Sequence, residues 1–274
     1  MDGIPHRRLM LSSAANDLPT PKATAYGRNM PADEPTILAT SGGIASGIRT
    51  RLAFTELTDF AVELSGVTGR SPRICLLATA MGDDKSVLHY LTEAAQARGF
   101  NASHLSLFPM PNVEDITAHL LEHDVVWVFG GSVAGLLAMW RLHEVDTALR
   151  SAWQAGVVLT GVSAGSICWH AGGTTDSFGP ELRPVTDGLA FVPYANGVHY
   201  DSEGQRRPLL KSLVGQGVLP AAYATDDGAG VLYRGTEFAE AVSERDDAAV
   251  YFIESVDGEV VETRLDTRRL ASVR

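Results

Sequence analysis

The stretch Val157-Val158-Leu159-Thr160-Gly161-Val162-Ser163-Ala164-Gly165-Ser166-Ile167-Cys168-Trp169 runs from β-branched apolar residues straight into a G-x-S-x-G pattern. A buried strand that turns into a helix through a residue flanked by glycines leaves that residue's side chain exposed at the strand's C-terminal end. The residue so presented is Ser163, and Gly161 and Gly165 are expected to leave room beside it for a substrate. The Ala164 amide then opens the helix and is placed to donate to an oxyanion. The bare pattern also arises by chance as an ordinary strand-to-helix turn, so its weight comes from the buried-type strand that precedes it.

Outward from this stretch, further strand-like apolar runs occur at 36–40 (TILAT), 73–79 (RICLLAT), 104–109 (HLSLFP) and 125–129 (VVWVF), with the opening run itself spanning 156–161. Between them, 50–66, 85–98, 112–123 and 133–154 carry apolar residues at helical spacing, as in Val87, Leu88, Leu91, Ala94 and Ala95. That alternation predicts an α/β fold: a doubly wound, mostly parallel sheet flanked by helices. After residue 220 the pattern shortens to runs at 230–233, 239–242, 249–253 and 259–262 separated by turn residues, which read as C-terminal antiparallel strands. Residues 1–35 hold Pro5, Pro19, Pro21, Pro31 and Pro35 without sustained periodicity and are expected to be a mobile N-terminal extension, with 36–274 forming one domain.

A chain of 274 residues, 45% hydrophobic and 20% charged, has the composition of one sizeable α/β domain rather than of a disordered chain. Its net charge of -11, with no basic stripe set against it, argues against nucleic-acid and anionic-membrane partners and toward a small peptide or other small molecule; oligomeric state is not legible. Only Cys75 and Cys168 are present, each in an apolar stretch, so neither a disulfide framework nor a C-x-x-C metal site can be built, and a cytoplasmic location is expected. No apolar run approaches the roughly 18 residues of a membrane helix, and Leu9-Met10-Leu11 is too short for a signal-peptide core.

In doubly wound sheets ligands bind beyond the carboxyl ends of the strands, and here those loops are rich in glycine: Ser41-Gly42-Gly43, Met81-Gly82 and Gly130-Gly131-Ser132. A second oxyanion donor must be a backbone amide that comes close to the serine, which makes Gly131 the candidate. A nucleophilic serine needs a base, and two histidines follow Ser163. His170 lies about two turns along the elbow helix and is expected to be structural, whereas His199 sits in the loop-like Pro193-Tyr194-Ala195-Asn196-Gly197-Val198-His199 and is the expected base. His6 falls in the extension, and His89, His104, His119, His123 and His143 fall within elements that have other work. For the acid that orients the base, Asp226 and Asp227 end a strand-like run and at most one of them can reach His199, while Asp176 is the rival in a compressed order. The order Ser163, His199, Asp227 spreads the three groups over separate strand ends and is mechanically easier to assemble.

The elbow Gly161-Val162-Ser163-Ala164-Gly165-Ser166, the Gly130-Gly131 loop, the Thr174-Thr175-Asp176 segment and His199 together resemble the peptidase E and cyanophycinase family of serine peptidases over roughly residues 36–260. The resemblance implies a class I glutamine amidotransferase-like, flavodoxin-like fold. It implies a serine nucleophile at Ser163, a base at His199, an acid at Asp227, where the family more familiarly has glutamate, and oxyanion donors at Gly131 and Ala164. The expected activity is that of a serine peptidase or amidohydrolase that cleaves small peptides or amide-linked compounds through an acyl-enzyme, with no metal or organic cofactor. Two positions depart from the family where substrate is read: Ser132 stands where an asparagine is usual, and Glu203 stands near the place of a substrate-reading arginine, with Arg206 and Arg207 close by. A carboxylate there repels an acidic substrate, so strict N-terminal-aspartate specificity is not expected. The alternative from another class is a non-catalytic amidotransferase-like module that binds a ligand at the elbow. A glutaminase would require cysteine at the elbow, and Cys168 lies five residues beyond Ser163.

Overall fold

The computed structural model describes residues 32–271; the expected extension therefore lies, up to residue 31, outside the described residues. Residues 32–35 are tied to the body of the protein: Ala32 is buried, and the Pro35 carbonyl accepts from Gly235 N–H at 2.7 Å. In chain order the first elements are β1 (Thr36–Thr40), β2 (Ile44–Ser46), β3 (Leu52–Phe54), α1 (Glu56–Leu64), β4 (Arg73–Leu77), α2 (Lys85–Ala97), β5 (Asn101–Leu105), α3 (Ile116–Leu121) and β6 (Val125–Val128). There follow α4 (Val133–Leu142), α5 (Val145–Gln154), β7 (Val158–Val162), α6 (Ala164–Ile167), β8 (Gly172–Thr175), β9 (Arg183–Val185), β10 (Ala195–Gly197) and α7 (Arg206–Gly215). The chain closes with β11 (Ala222–Thr225), β12 (Ala229–Arg234), β13 (Glu237–Ser243), β14 (Val250–Val256), β15 (Glu259–Arg264) and β16 (Thr267–Arg269).

The larger sheet runs β16-β13-β12-β1-β7-β6-β4-β5, and its five strands from β1 to β5 are mutually parallel. These strands read as unbroken apolar runs because both faces are covered. Alternate residues supply two separate cores. Ile37, Ala39, Cys75, Leu77, Val126 and Val128 pack with the residues of α3, α4 and α5, while Leu38, Ile74, Leu76, Val125, Trp127 and Val158 pack with those of α1 and α2. The sheet is thus the doubly wound α/β arrangement that the alternating pattern predicts.

Several boundaries differ from the sequence reading, each for a physical reason. The third parallel strand is Asn101–Leu105 rather than 104–109; it is the edge strand, so its Asn101-Ala102-Ser103-His104 portion carries little of the apolar signal. The long helical stretch 133–154 is two helices, broken at Glu144, whose φ of 57° lies in the left-handed region. The C-terminal strands divide between sheets. β12 and β13 extend the parallel sheet, whereas β14 and β15 join a second, six-stranded sheet of order β15-β14-β11-β10-β8-β9 that the sequence reading did not anticipate. Its parallel members β8, β10 and β11 are short and made largely of small residues, Gly172-Gly173-Thr174-Thr175, Ala195-Asn196-Gly197 and Ala222-Tyr223-Ala224-Thr225.

Candidate active site

β7 is buried throughout and ends at Val162, and α6 begins at Ala164, so Ser163 alone makes the turn. Its backbone sits at φ 58° and ψ -114°, a region a side-chain-bearing residue adopts at a cost of about 1–3 kcal/mol and usually at functional sites. The two flanking glycines serve packing rather than substrate room. A Cβ on Gly161 would lie 2.6 Å from the Val128 carbonyl oxygen, and a Cβ on Gly165 would run into the same carbonyl. The glycines therefore let the elbow sit directly against the end of β6. The loop that follows β6 closes on the serine from that side: a Cβ on Gly130 would lie 3.2 Å from Ser163 Cβ, and Gly131, at φ 132°, has no space for one beside the Ala80 carbonyl. The Ala164 amide is the first of α6, where N–H groups have no intrahelical acceptor.

The second sheet brings His199 and Asp227 together through strand register. β10 and β11 are parallel neighbours with Gly197 opposite Ala224, so residues two and three positions further on emerge side by side. His199 Nδ1 lies 2.6 Å from Asp227 Oδ1. The carboxylate can only accept, which puts the proton on Nδ1 and leaves a lone pair on Nε2. Among the described residues neither His199 Nε2 nor Ser163 Oγ is engaged in a hydrogen bond, and His199, like Ser163, stands at positive φ, here 52°. The other two carboxylates do not contact His199. Asp226 accepts from Ala249 N–H at 3.0 Å, and burial holds its carboxyl above the ordinary range; Asp176 is exposed in the turn after β8. His170 is fully buried with both nitrogens committed, Nδ1 to the Ser166 carbonyl at 2.9 Å and Nε2 to the Tyr233 hydroxyl at 3.0 Å, and burial lowers it to about 4.

A seam at the end of β1 joins the two sheets. The Thr40 carbonyl accepts from Ser163 N–H at 3.1 Å. Its neighbour Ser41 accepts from His199 N–H through Oγ at 3.1 Å, bonds Thr225 Oγ1 at 2.6 Å, and accepts from Gly228 N–H through its carbonyl at 2.8 Å. One dipeptide therefore holds the backbone of the serine, of the histidine and of the residue after Asp227. Asp201 adds a further tie by accepting from Asp227 N–H at 2.8 Å, and Arg245 donates to the Asp227 carbonyl at 3.1 Å. The sequence marks Ser41 only as part of a glycine-rich loop beyond a strand end and does not single out Thr225, Asp201 or Arg245. The one available signal for Ser41 is its place at the carboxyl end of the first parallel strand.

The remaining expected residues have structural partners. Ser132 Oγ accepts from Gly135 N–H at 3.1 Å and caps α4. Arg206, only 2% exposed, donates to Glu203 at 2.7 Å and to the Thr174 carbonyl, so the two charges form an ion pair. Arg207 is likewise paired, with Glu262.

Comparison with known proteins accords with this geometry. The chain is 38% identical over 199 residues to the uncharacterized peptidase YgaJ of Bacillus subtilis (strain 168), covering 73% of this chain and 85% of that one. Two solved structures share the fold. A putative peptidase E protein from Listeria monocytogenes EGD-e has a TM-score of 0.53 at 16% identity, covering 85% of this chain and all (100%) of its own. A peptidase from an acI-B1 Actinobacterium has a TM-score of 0.60 at 15% identity, covering 89% and 97%. With the model of peptidase family S51 matching residues 37–241, the chain belongs to that family and is a serine-type peptidase of the peptidase E-like kind.

Proposed function

We propose that the protein cleaves small peptides or amide-linked compounds through an acyl-enzyme on Ser163. The observation that carries this reading is the 2.6 Å His199–Asp227 pair, whose open Nε2 belongs to a backbone tied through Ser41 and Thr40 to that of a strained Ser163, whose hydroxyl is unbonded among the described residues. His199 Nε2 takes the Ser163 hydroxyl proton as Oγ attacks the scissile carbonyl carbon. The amides of Gly131 and Ala164 receive the oxyanion, and Asp227 stabilises the imidazolium that forms. Collapse passes the proton to the leaving amine, and a water activated by His199 then releases the acid product and restores the serine. A fluorophosphonate probe tests the assignment. Mass spectrometry is expected to find the label on Ser163, with Ser163→Ala unlabelled and inactive; a label on another residue, or hydrolysis retained by Ser163→Ala, overturns it.

The substrate side of the proposal rests on Glu203, Arg206 and Arg207. Because each arginine is already paired with a carboxylate, this part of the site offers an acidic substrate residue no uncommitted guanidinium. Hydrolysis of Ala-Leu and Lys-Leu is therefore expected to equal or exceed that of Asp-Leu. Clear selectivity for Asp-Leu that is lost in Arg206→Ala contradicts the expectation.

A further inference from the structure

We propose that Cys75, His119 and His123 form a zinc site at the end of the parallel sheet opposite Ser163. Their ligand atoms, Cys75 Sγ and one ring nitrogen of each histidine, all lie within 4.8 Å of one another. Chain direction produces this cluster. After β5 the chain returns along α3 toward the start of β6, so His119 and, one helical turn later, His123 arrive over the early residues of β4 and β5. Cys75, the third residue of β4, faces the same core as α3.

Two details of the geometry suit a metal ion, and a third must change for one to bind. Cys75 Sγ and His119 Nε2 are 3.6 Å apart. Tetrahedral zinc, with bonds of about 2.3 Å to sulfur and about 2.0 Å to nitrogen, sets that edge at roughly 3.5 Å. His123 Nδ1 lies 2.8 Å from the His119 carbonyl, an obligate acceptor, so Nδ1 carries the proton and Nε2 presents its lone pair; this is the outer contact that orients metal-binding imidazoles. The Ser103 hydroxyl donates to His123 Nε2 at 2.6 Å and lies 3.4 Å from His119 Nε2, so it caps the lone pair the ion would take and must turn aside when the ion binds.

Access is also provided. A cavity of about 510 Å³, lined by Arg73, Asn101, Ser103, Glu122 and His123, leads to the cluster. Arg73 on its rim donates to the Glu122 carbonyl at 3.4 Å. One thiolate and two imidazoles with an open fourth position suit Zn²⁺ among the common divalent ions. Binding forms one Zn–S and two Zn–N bonds and releases the Cys75 thiol proton to solvent, leaving the site with a net charge of one positive unit. The ion ties α3 to β4 and takes no part in the chemistry at Ser163.

Cobalt titration of the tag-free full-length chain, stripped with a chelator, tests the proposal. The wild type is expected to bind one Co²⁺ with a thiolate-to-cobalt charge-transfer band and the intense visible bands of a tetrahedral site, both discharged by Zn²⁺. Cys75→Ser is expected to lose the charge-transfer band. Because Cys75 lies in the core, His119→Gln at a half-buried position provides the second variant: its circular dichroism without metal should match the wild type, and its zinc affinity should fall at least about 10-fold. Zinc should raise the melting temperature of the wild type and not that of either variant. Absence of the charge-transfer band in the wild type, or zinc affinity unchanged in both variants, overturns the proposal.

Discussion

The two sheets hold their contributions to the proposed site by different means. In the parallel sheet Ser163 is fixed by backbone packing, with glycines at 161 and 165 letting the elbow rest on the Val128 carbonyl. In the second sheet His199 is fixed by hydrogen bonds to the side chains of Asp227 and Ser41. A group held by packed backbone is resistant to substitution of its neighbours' side chains, while one held by side-chain hydrogen bonds can be loosened one atom at a time. The second sheet is therefore where conservative substitutions should separate catalysis from folding.

The largest effect expected is from removing either partner across the seam. Ser163→Ala and His199→Ala should each reduce kcat by roughly 10⁴- to 10⁶-fold, and the double variant should be no worse than the poorer single one, because the groups act as a unit. Additive losses in steady-state kinetics would mean that the two sheets act independently. Next, Asp227→Asn should lower kcat by roughly 10³- to 10⁴-fold while thermal denaturation stays close to wild type, since the amide cannot stabilise the imidazolium. If Asp226→Asn instead reproduces that loss, the pairing seen here is not the working one.

The buried histidine of the elbow side provides a contrast that concerns stability alone. Burial takes His170 from an ordinary value of 6.5 down to about 4, so between those values the unfolded chain binds a proton that the folded chain refuses. Stability is then lost as pH falls from 6.5 toward 4, by on the order of 3 kcal/mol for this one group. Urea denaturation across that range should show a shallower pH slope in His170→Gln than in wild type; equal slopes would remove the assignment. The smallest effect on turnover is expected at the seam: Ser41→Ala should lower kcat about 10-fold with KM little changed, while the unpaired Thr225 hydroxyl and His199 N–H lower stability by about 1–3 kcal/mol, and Ser41→Thr should restore most of the lost turnover. A fall in melting temperature without a change in kcat would make Ser41 structural only.

Legibility followed the same division. β1, β4, β6 and β7 announce themselves because strands buried on both faces must be apolar throughout, and the elbow is a local pattern that glycine spacing reveals. The second sheet is nearly silent: in β8 and β10 the residues are Gly, Thr, Ala and Asn, and a Cβ on Gly173 would strike the backbone of Asn196, so close approach has replaced bulk as the packing device. Asp226 and Asp227 could not be separated from composition, because what distinguishes them is the alternation of side-chain direction at the end of β11, where one meets Ala249 and the other His199. His119 and His123 looked like helix residues because their partner Cys75 lies more than forty positions earlier, on a strand.

The place of β1 bears on how the site is made on the ribosome. This strand is synthesised early among the described elements, yet in the folded sheet it lies between β7 and β12, whose partner residues come about 120 and 190 positions later. Its last residue and the serine after it anchor the backbones of Ser163, His199 and Gly228, the residue after Asp227. A growing chain that has emerged only through α7 possesses the elbow and the histidine but neither Asp227 nor the strand that seals the outer edge of β1. If the proposed triad is the working one, hydrolytic competence waits until the segment that carries Asp227 and the strands after it have been made.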